Sequence, residues 1–238
     1  MLTTHSVPTG FDTSRPGTPH SRWDTLECRP WSPPQRSLIV VTPHPDDETL
    51  GAGGLIHHYT KRHLRVTVIS VTDGEAACPE MPHLASRRQA ELHAALARLG
   101  VYPARIIRLG LPDGRVADNA GLLTAVLRAV TPHDALIVAP FERDGHPDHD
   151  ATSRVAREVA SEQGVALATY PIWAWHQAEP EVFSGCRRVN LLLDTEAQAA
   201  KHSAIHCYVS QLSERPGGPI VPPHVLTYFD RPYETFLL

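Results

Sequence analysis

SLIVVTPHPDDETLGAGGLIHHYTKR, residues 37–62, decides how the rest of the chain reads. SLIVVTP is an unbroken apolar run, the pattern of a strand covered on both faces in a parallel sheet rather than an alternating, half-exposed one. ETLGAGGLIHHYTKR then has the composition and length of a helix. Between them lies PHPDDE, a cluster of imidazole and carboxylate groups at the end of a strand predicted to be buried. Such groups belong there when they bind something.

Working outward, the same unit repeats. VTVISVT (66–72) is a second buried strand, HLASRRQAELHAALARLG (83–100) a strongly periodic helix closed by Gly100, and ARIIRLG (104–110) a third strand. LLTAVLRAV (122–130) supplies a helix before ALIVAP (135–140), the fourth strand; ATSRVAREVASEQG (151–164) is a helix, and VALATYPIW (165–173) the fifth strand. Strands alternating with helices at this spacing are βαβ units with right-handed crossovers. The fold class expected is therefore α/β, a Rossmann-like doubly wound, mainly parallel sheet with flanking helices. RRVNLLLD (187–194) reads as one more strand and TEAQAAKHSAIHCYVSQ (195–211) as one more helix.

Residues 37–238 make a single domain on this reading. Residues 1–36 hold six prolines among Ser, Thr and Gly, with too little apolar surface to offset ordering entropy, and read as a flexible Pro-rich N-terminal arm whose removal should leave the fold intact. Trp23 and Trp31 complicate that reading, because a tryptophan can dock an arm on a domain surface.

Composition narrows the function. Of 238 residues, 42% are hydrophobic and 20% charged, an ordinary globular balance rather than a disordered one. The net charge of -4 and the lack of a long Lys/Arg run argue against nucleic acid as a partner. No apolar stretch approaches the roughly 20 residues of a membrane span. MLTTHSVPTG has neither the basic start nor the apolar core of a secretory leader, so a cytoplasmic location is expected. Cys28, Cys78, Cys186 and Cys207 form no CxxC pair and read as packing thiols. Nothing in the sequence sets an oligomeric state.

A second polar cluster, RDGHPDH (143–149), follows the fourth strand. In the dinucleotide-fold strand order 3-2-1-4-5, strands one and four are neighbours at the topological switch point, where ligands bind at the carboxyl ends of strands. The gap between His44 and His149 can therefore close in space. Taken singly, each cluster also reads as a turn whose Asp or His caps the next helix. Together they offer a metal site with His44, Asp47 and His149 as ligands, and a cation would relieve the repulsion between adjacent Asp46 and Asp47. Three protein ligands with a fourth position open suit a catalytic zinc ion, Zn2+. Asp46 and His146 then fit the remaining roles in amide hydrolysis, a base for the water proton and an imidazole for the oxyanion or leaving nitrogen, while Asp148 orients one of the imidazoles. Trp173 and Trp175 alternate sides at the end of the fifth strand, so one can face a pocket. No HExxH occurs, which argues against a metallopeptidase.

PHPDDE and HPDH, with TDGE (72–75), Arg88 and Glu91 followed by LG, LPDG (111–114) and Ser210-Gln211, occur in an order and spacing that resembles the PIG-L/LmbE-like zinc-dependent deacetylase family from about residue 37 onward. The resemblance implies a Rossmann-like fold and removal of N-acetyl from an N-acetylglucosamine-type conjugate, so the partner expected is a small-molecule amino-sugar conjugate. By position His44, Asp47 and His149 are similar to the family's metal ligands, Asp46 to its base and His146 to its acid or oxyanion group. Arg88 and Asp113 fall where the family contacts the sugar. One departure stands out: mycothiol-type members have a tyrosine two residues before the HPDH histidine, whereas this chain has Asp144, which argues against a mycothiol substrate. The alternatives carried forward are an amidase on thiol conjugates and a non-catalytic metal-binding homologue.

Overall fold

The computed structural model describes residues 16–213 and 218–238. Its centre is one eight-stranded sheet in the order β1-β7-β8-β6-β5-β2-β3-β4. The strands are β1 (Arg29–Pro30), β2 (Leu38–Thr42), β3 (Val66–Thr72), β4 (Ile106–Leu111), β5 (Leu136–Pro140), β6 (Ala166–Tyr170), β7 (Arg188–Leu192) and β8 (Tyr233–Leu237). β4-β3-β2-β5-β6 run parallel in the expected 3-2-1-4-5 order, with β2 and β5 hydrogen-bonded side by side from Leu38↔Leu136 to Val40↔Val138. β8 then pairs antiparallel with both β6 and β7, which is where the sheet becomes mixed.

Alternate residues of each strand feed the two faces, the period-2 consequence of the pleat. Ile39, Val41, Ile69, Val71 and Ile137 pack with Leu123 and Leu127 of α4 (Ala120–Val130) and Val155 and Val159 of α5 (Pro147–Gln163). Leu38, Val40, Val68 and Val138 pack on the other face with α2 (Asp47–Lys61), α3 (Leu84–Arg98) and α7 (Thr195–Ile205). The remaining helices, α1 (His20–Trp23), α6 (Ala174–Gln177), α8 (Val209–Leu212) and α9 (Pro223–Leu226), are single turns. No helix among the described residues is long and apolar enough to cross a membrane.

Three departures from the sequence expectations have physical causes. The fifth strand stops at Tyr170, because Pro171 withholds a ladder N–H and the next residues turn into α6. The last long helix breaks after Ile205 and restarts at Val209, so that Tyr208 points inward to Glu48 while Ser210 meets Glu91. α2 kinks at Ala52. The amide groups following the kink, Gly54 and Leu55, donate to the Glu234 carboxylate of β8 at 2.7 and 2.8 Å, and Lys201 of α7 balances that buried charge at 2.8 Å.

The flexible arm expected over residues 1–36 is corrected for residues 16–36; residues 1–15 lie outside the described residues. Trp23 is buried and packs edge-on to Trp175 at 5.0 Å, Trp31 stacks obliquely on Phe236 at 4.9 Å, and β1 pairs with β7. Two aromatic side chains bury enough surface to order a segment whose composition otherwise argues against it. Removing it would uncover the aromatic cluster of Trp175, Phe183 and Phe236.

Candidate active site

The two polar clusters leave neighbouring strands at the same end of the sheet, PHPDDE from β2 into α2 and RDGHPDH from β5 into α5. The turn into α2 is strained: Asp46 adopts φ 132°, a conformation that a non-glycine residue holds only where its surroundings enforce it. They do so here. Glu48, buried, accepts from the Asp46 amide at 3.3 Å and is itself held by Thr49, Thr42 and Tyr208. Arg88 of α3 donates to the Pro45 carbonyl at 2.6 Å and the Gly74 carbonyl at 3.1 Å, and stands 3.3 Å from Asp46. In the second loop Gly145, at φ 90°, reverses the chain between Asp144 and His146. Pro147 then opens α5 with His146 as its cap.

His44, Asp47 and His149 converge, as expected. The His149 Nε2 atom lies 3.3 Å from His44 Nδ1, and each of these nitrogens is 3.2 Å from Asp47 Oδ2. All three residues are buried. The chemistry of the donor set shows what it could hold. Both imidazoles turn one nitrogen inward and present the other to a carboxylate: His149 Nδ1 to Asp144 at 2.7 Å, and His44 Nε2 to Asp113 at 3.1 Å, with Asp148 at 3.4 Å. That outer hydrogen bond fixes the tautomer and makes the inner nitrogen a better donor, which is how metal-ligating histidines are held. Two imidazoles and a carboxylate so arranged fit a divalent metal.

Electrostatics agree with a site built for positive charge. Burial alone would lower the His44 and His149 pKa values, yet the carboxylates around them raise both. Burial pushes Asp47 up, but the two imidazoles outweigh it and hold the carboxyl well below its usual range. Asp46 goes the other way: burial raises it, Asp47 adds to the rise, and Arg88 opposes it. His146 is lowered by burial and by the neighbouring imidazoles. Its Nδ1 accepts from the Asp148 amide at 3.1 Å, which leaves the ring proton of the neutral form on Nε2.

Asp46 and His146 both line the cleft above this cluster, about 760 Å³ of space open to solvent. Arg88 and Asp113 line it too, but both terminal nitrogens of Arg88 and both carboxylate oxygens of Asp113 are engaged with the protein, while Arg88 Nε is buried without a partner. Arg88 holds the Asp46 turn, and Asp113 faces His44 with one oxygen while its other accepts from the Ala76 amide at 3.0 Å. The Asp148 carboxylate accepts from the Gly114 and Val116 amides at 2.7 and 3.1 Å, tying the LPDG loop to α5. The opposite side of the cleft is apolar, with Leu50, Ile172, Trp173, Val221, Val225 and Phe229. Trp173 does face the pocket while Trp175 is buried, though a helical turn rather than strand alternation separates them.

Two features escape a reading of the sequence. Asp144, noted there only as a departure, is buried and accepts from the Ile172, Trp173 and Ala174 amides at 2.8 to 3.0 Å as well as from His149. A signal existed, since a ligand histidine needs an acceptor for its outer nitrogen and Asp144 precedes it by five residues. Glu48 and Tyr208 had none, because their meeting depends on the break in the last long helix.

Comparison with known proteins gives the same picture. The PIG-L signature, described as GlcNAc-PI de-N-acetylase, matches residues 39–160, from β2 through α5, and so takes in both polar loops. A 1D-myo-inositol 2-acetamido-2-deoxy-alpha-D-glucopyranoside deacetylase of Mycobacterium sp. (strain KMS) is 37% identical over 149 residues, 50% of this chain and 48% of that protein. The chain thus spans about half the length of this relative. The enzyme of the same name from Mycolicibacterium gilvum is 30% identical over 234 residues, 76% of this chain and 82% of that one. Among solved structures, the A40926 pseudoaglycone deacetylase Dbv21 superposes with a TM-score of 0.67 over 86% of this chain and 97% of its own, at 23% identity, a likeness of fold. With the signature running across half the sequence and both of its polar loops meeting in one buried cluster, the chain belongs to the PIG-L family.

Proposed function

We propose that this chain hydrolyses the N-acyl amide, acetyl first, of an N-acetylglucosamine-type amino-sugar conjugate, with zinc held by His44, Asp47 and His149. The observation that carries the reading is the convergence of two inward imidazole nitrogens 3.3 Å apart and the Asp47 carboxylate at the base of a cleft that Asp46 and His146 also line. A zinc ion there would supply Lewis-acid polarisation of the amide carbonyl and make a water molecule more acidic.

The chain's own groups supply the proton steps. Asp46, its carboxyl made more basic by burial, takes a proton from the attacking water. Arg88 keeps Asp46 in its strained turn. His146, with its proton on Nε2, donates a hydrogen bond to the developing oxyanion or protonates the leaving nitrogen. Carboxylic acid and free amine are then the products, with water's atoms divided between them. Asp113, Asp148 and Asp144 hold the imidazoles. Arg88 and Asp113 reach a sugar only through their edges on the cleft. Four free cysteines suit a reducing compartment such as the cytoplasm.

A non-catalytic metal binder would have no use for a base and a proton donor beside its ligands. The test is mass-spectrometric screening of N-acetylglucosaminyl compounds with and without added zinc. Metal-dependent loss of one acetyl group supports the reading. Stoichiometric zinc with no substrate deacylated would leave a binding protein instead.

A further inference from the structure

The apolar side of the cleft rests on two pieces of chain that cannot hold themselves. Trp173 opens α6 and Val225 lies in α9, with Phe229 just beyond; each helix is a single turn, too short to persist without outside support. Asp144 anchors the start of α6 from the metal side. From the other side, α6 and the residues just beyond α9 are gripped by a segment that lies outside the family signature.

Gly17 sits so close between them that a Cβ there would lie 2.1 Å from His176 Nδ1 and 2.7 Å from the Tyr228 hydroxyl. The Thr18 amide donates to the His176 carbonyl at 3.0 Å and its hydroxyl to the Ala178 carbonyl at 2.7 Å. Tyr228 donates in turn to the Thr18 carbonyl at 2.5 Å, and His20 stacks on the Tyr228 ring at 4.6 Å. Trp23 completes the grip on α6 through Trp175.

The geometry points to Gly17–Trp23 as a positioning strap: it fixes the two one-turn helices whose Trp173, Val225 and Phe229 recognise an apolar group on the amino-sugar substrate. The chemistry is an alkyl or aryl group beside the reacting amide, either an acyl chain longer than acetyl or an apolar aglycone. The substrate half of this inference rests on the hydrolase reading above; the strap itself does not.

The experiment uses the full chain loaded with zinc and two variants, Gly17→Val, which wedges the strap off, and Tyr228→Phe, which removes one hydrogen bond. Amide hydrogen exchange at residues 172–178 and 223–229 should quicken about tenfold in Gly17→Val, and less in Tyr228→Phe, while α5 and the zinc content stay as in the parent. For N-hexanoylglucosamine or phenyl N-acetylglucosaminide, KM should rise about fivefold or more at little-changed kcat, with N-acetylglucosamine unaffected; which compound responds identifies the acyl chain or the aglycone. Unchanged exchange overturns the strap, and equal KM shifts for all three compounds overturn its role in recognition. If the parent turns over none of them, the hydrolytic reading fails instead. Calorimetric affinity for the same compounds then takes the place of KM, and equal affinity of parent and variant overturns recognition. Should Gly17→Val not fold, Tyr228→Phe decides on the same measurements.

Discussion

The two sides of the cleft are built in opposite ways. Its polar base comes from two loops that leave adjacent parallel strands, and each loop is a short continuous motif of seven residues or fewer. Its apolar side is assembled from three segments far apart in sequence, residues 16–23, 172–178 and 220–229, with hardly any regular structure of their own. The base is rigid because both loops are tied to the sheet and to α2 and α5. The apolar side is held by contacts among its parts and by Asp144 of the base. Chemistry can therefore be common to relatives while recognition differs, and the two should respond differently to substitution.

The largest effect should come from the base. His149→Ala removes an inward nitrogen from a fully buried cluster, and is expected to lose stoichiometric zinc and lower turnover by about 10³-fold or more. Elemental analysis of the purified variant checks it; retained zinc would mean that the ligands are misassigned.

Asp46→Asn should separate proton transfer from metal binding within the same loop. Zinc and fold are expected to persist while turnover falls by about 10²-fold or more, because the base is lost and Arg88 keeps its two carbonyl acceptors. Near-parental activity with zinc bound would remove Asp46 from the mechanism.

Asp144 is the point where base and apolar side meet, and so sharpens the comparison most. Asp144→Ala should weaken zinc affinity about 10- to 100-fold through His149. The same variant should also speed exchange of the Ile172, Trp173 and Ala174 amides, which lose their acceptor. If only one of these changes, the two sides are independent and Asp144 does not couple them.

The smallest effect lies at the rim of the base. Asp73 is raised by burial, but hydrogen bonds from Arg108, at 2.8 Å, and Gln89 outweigh this, so its folded pKa is net lowered. The sign follows from linkage: a depressed carboxyl stabilises the fold above its unfolded pKa of about 4, and that contribution disappears as pH falls through the folded value. Arg108 is half exposed, which keeps the contribution under about 1 kcal/mol. Thermal unfolding of the parent and Asp73→Asn should differ at neutral pH and converge in acid; a constant difference down to the lowest pH would assign the effect to packing.

Much of this was legible beforehand, and for identifiable reasons. β2, β3 and β5 are buried on both faces, so their composition announces them, and the order β4-β3-β2-β5-β6 is the dinucleotide-fold order expected of alternating βαβ units. β8 was not foreseen, because YETFL carries a buried glutamate whose partners, Lys201 and the α2 amides, come from elsewhere in the chain. The arm was misread over residues 16–36, since its few apolar side chains become a core element only when Trp175, Phe183 and Phe236 are supplied by distant strands and turns.

What the sequence determined by itself is the set of local facts: which runs are strands and helices, and that His44, Asp46, Asp47, His146 and His149 leave neighbouring strands. Local periodicity suffices for the elements, because it operates within a few residues, and the adjacency of the two strands comes with the dinucleotide-fold order that alternating βαβ units imply. Only the tertiary structure decided that Asp144 serves His149 and α6 at once, that Asp113 faces His44, and that residues 16–23 brace the apolar side. Those are contacts between segments that carry no matching pattern. Their energy appears only when the folded chain excludes water, so that a buried polar group gains most from partners within the protein.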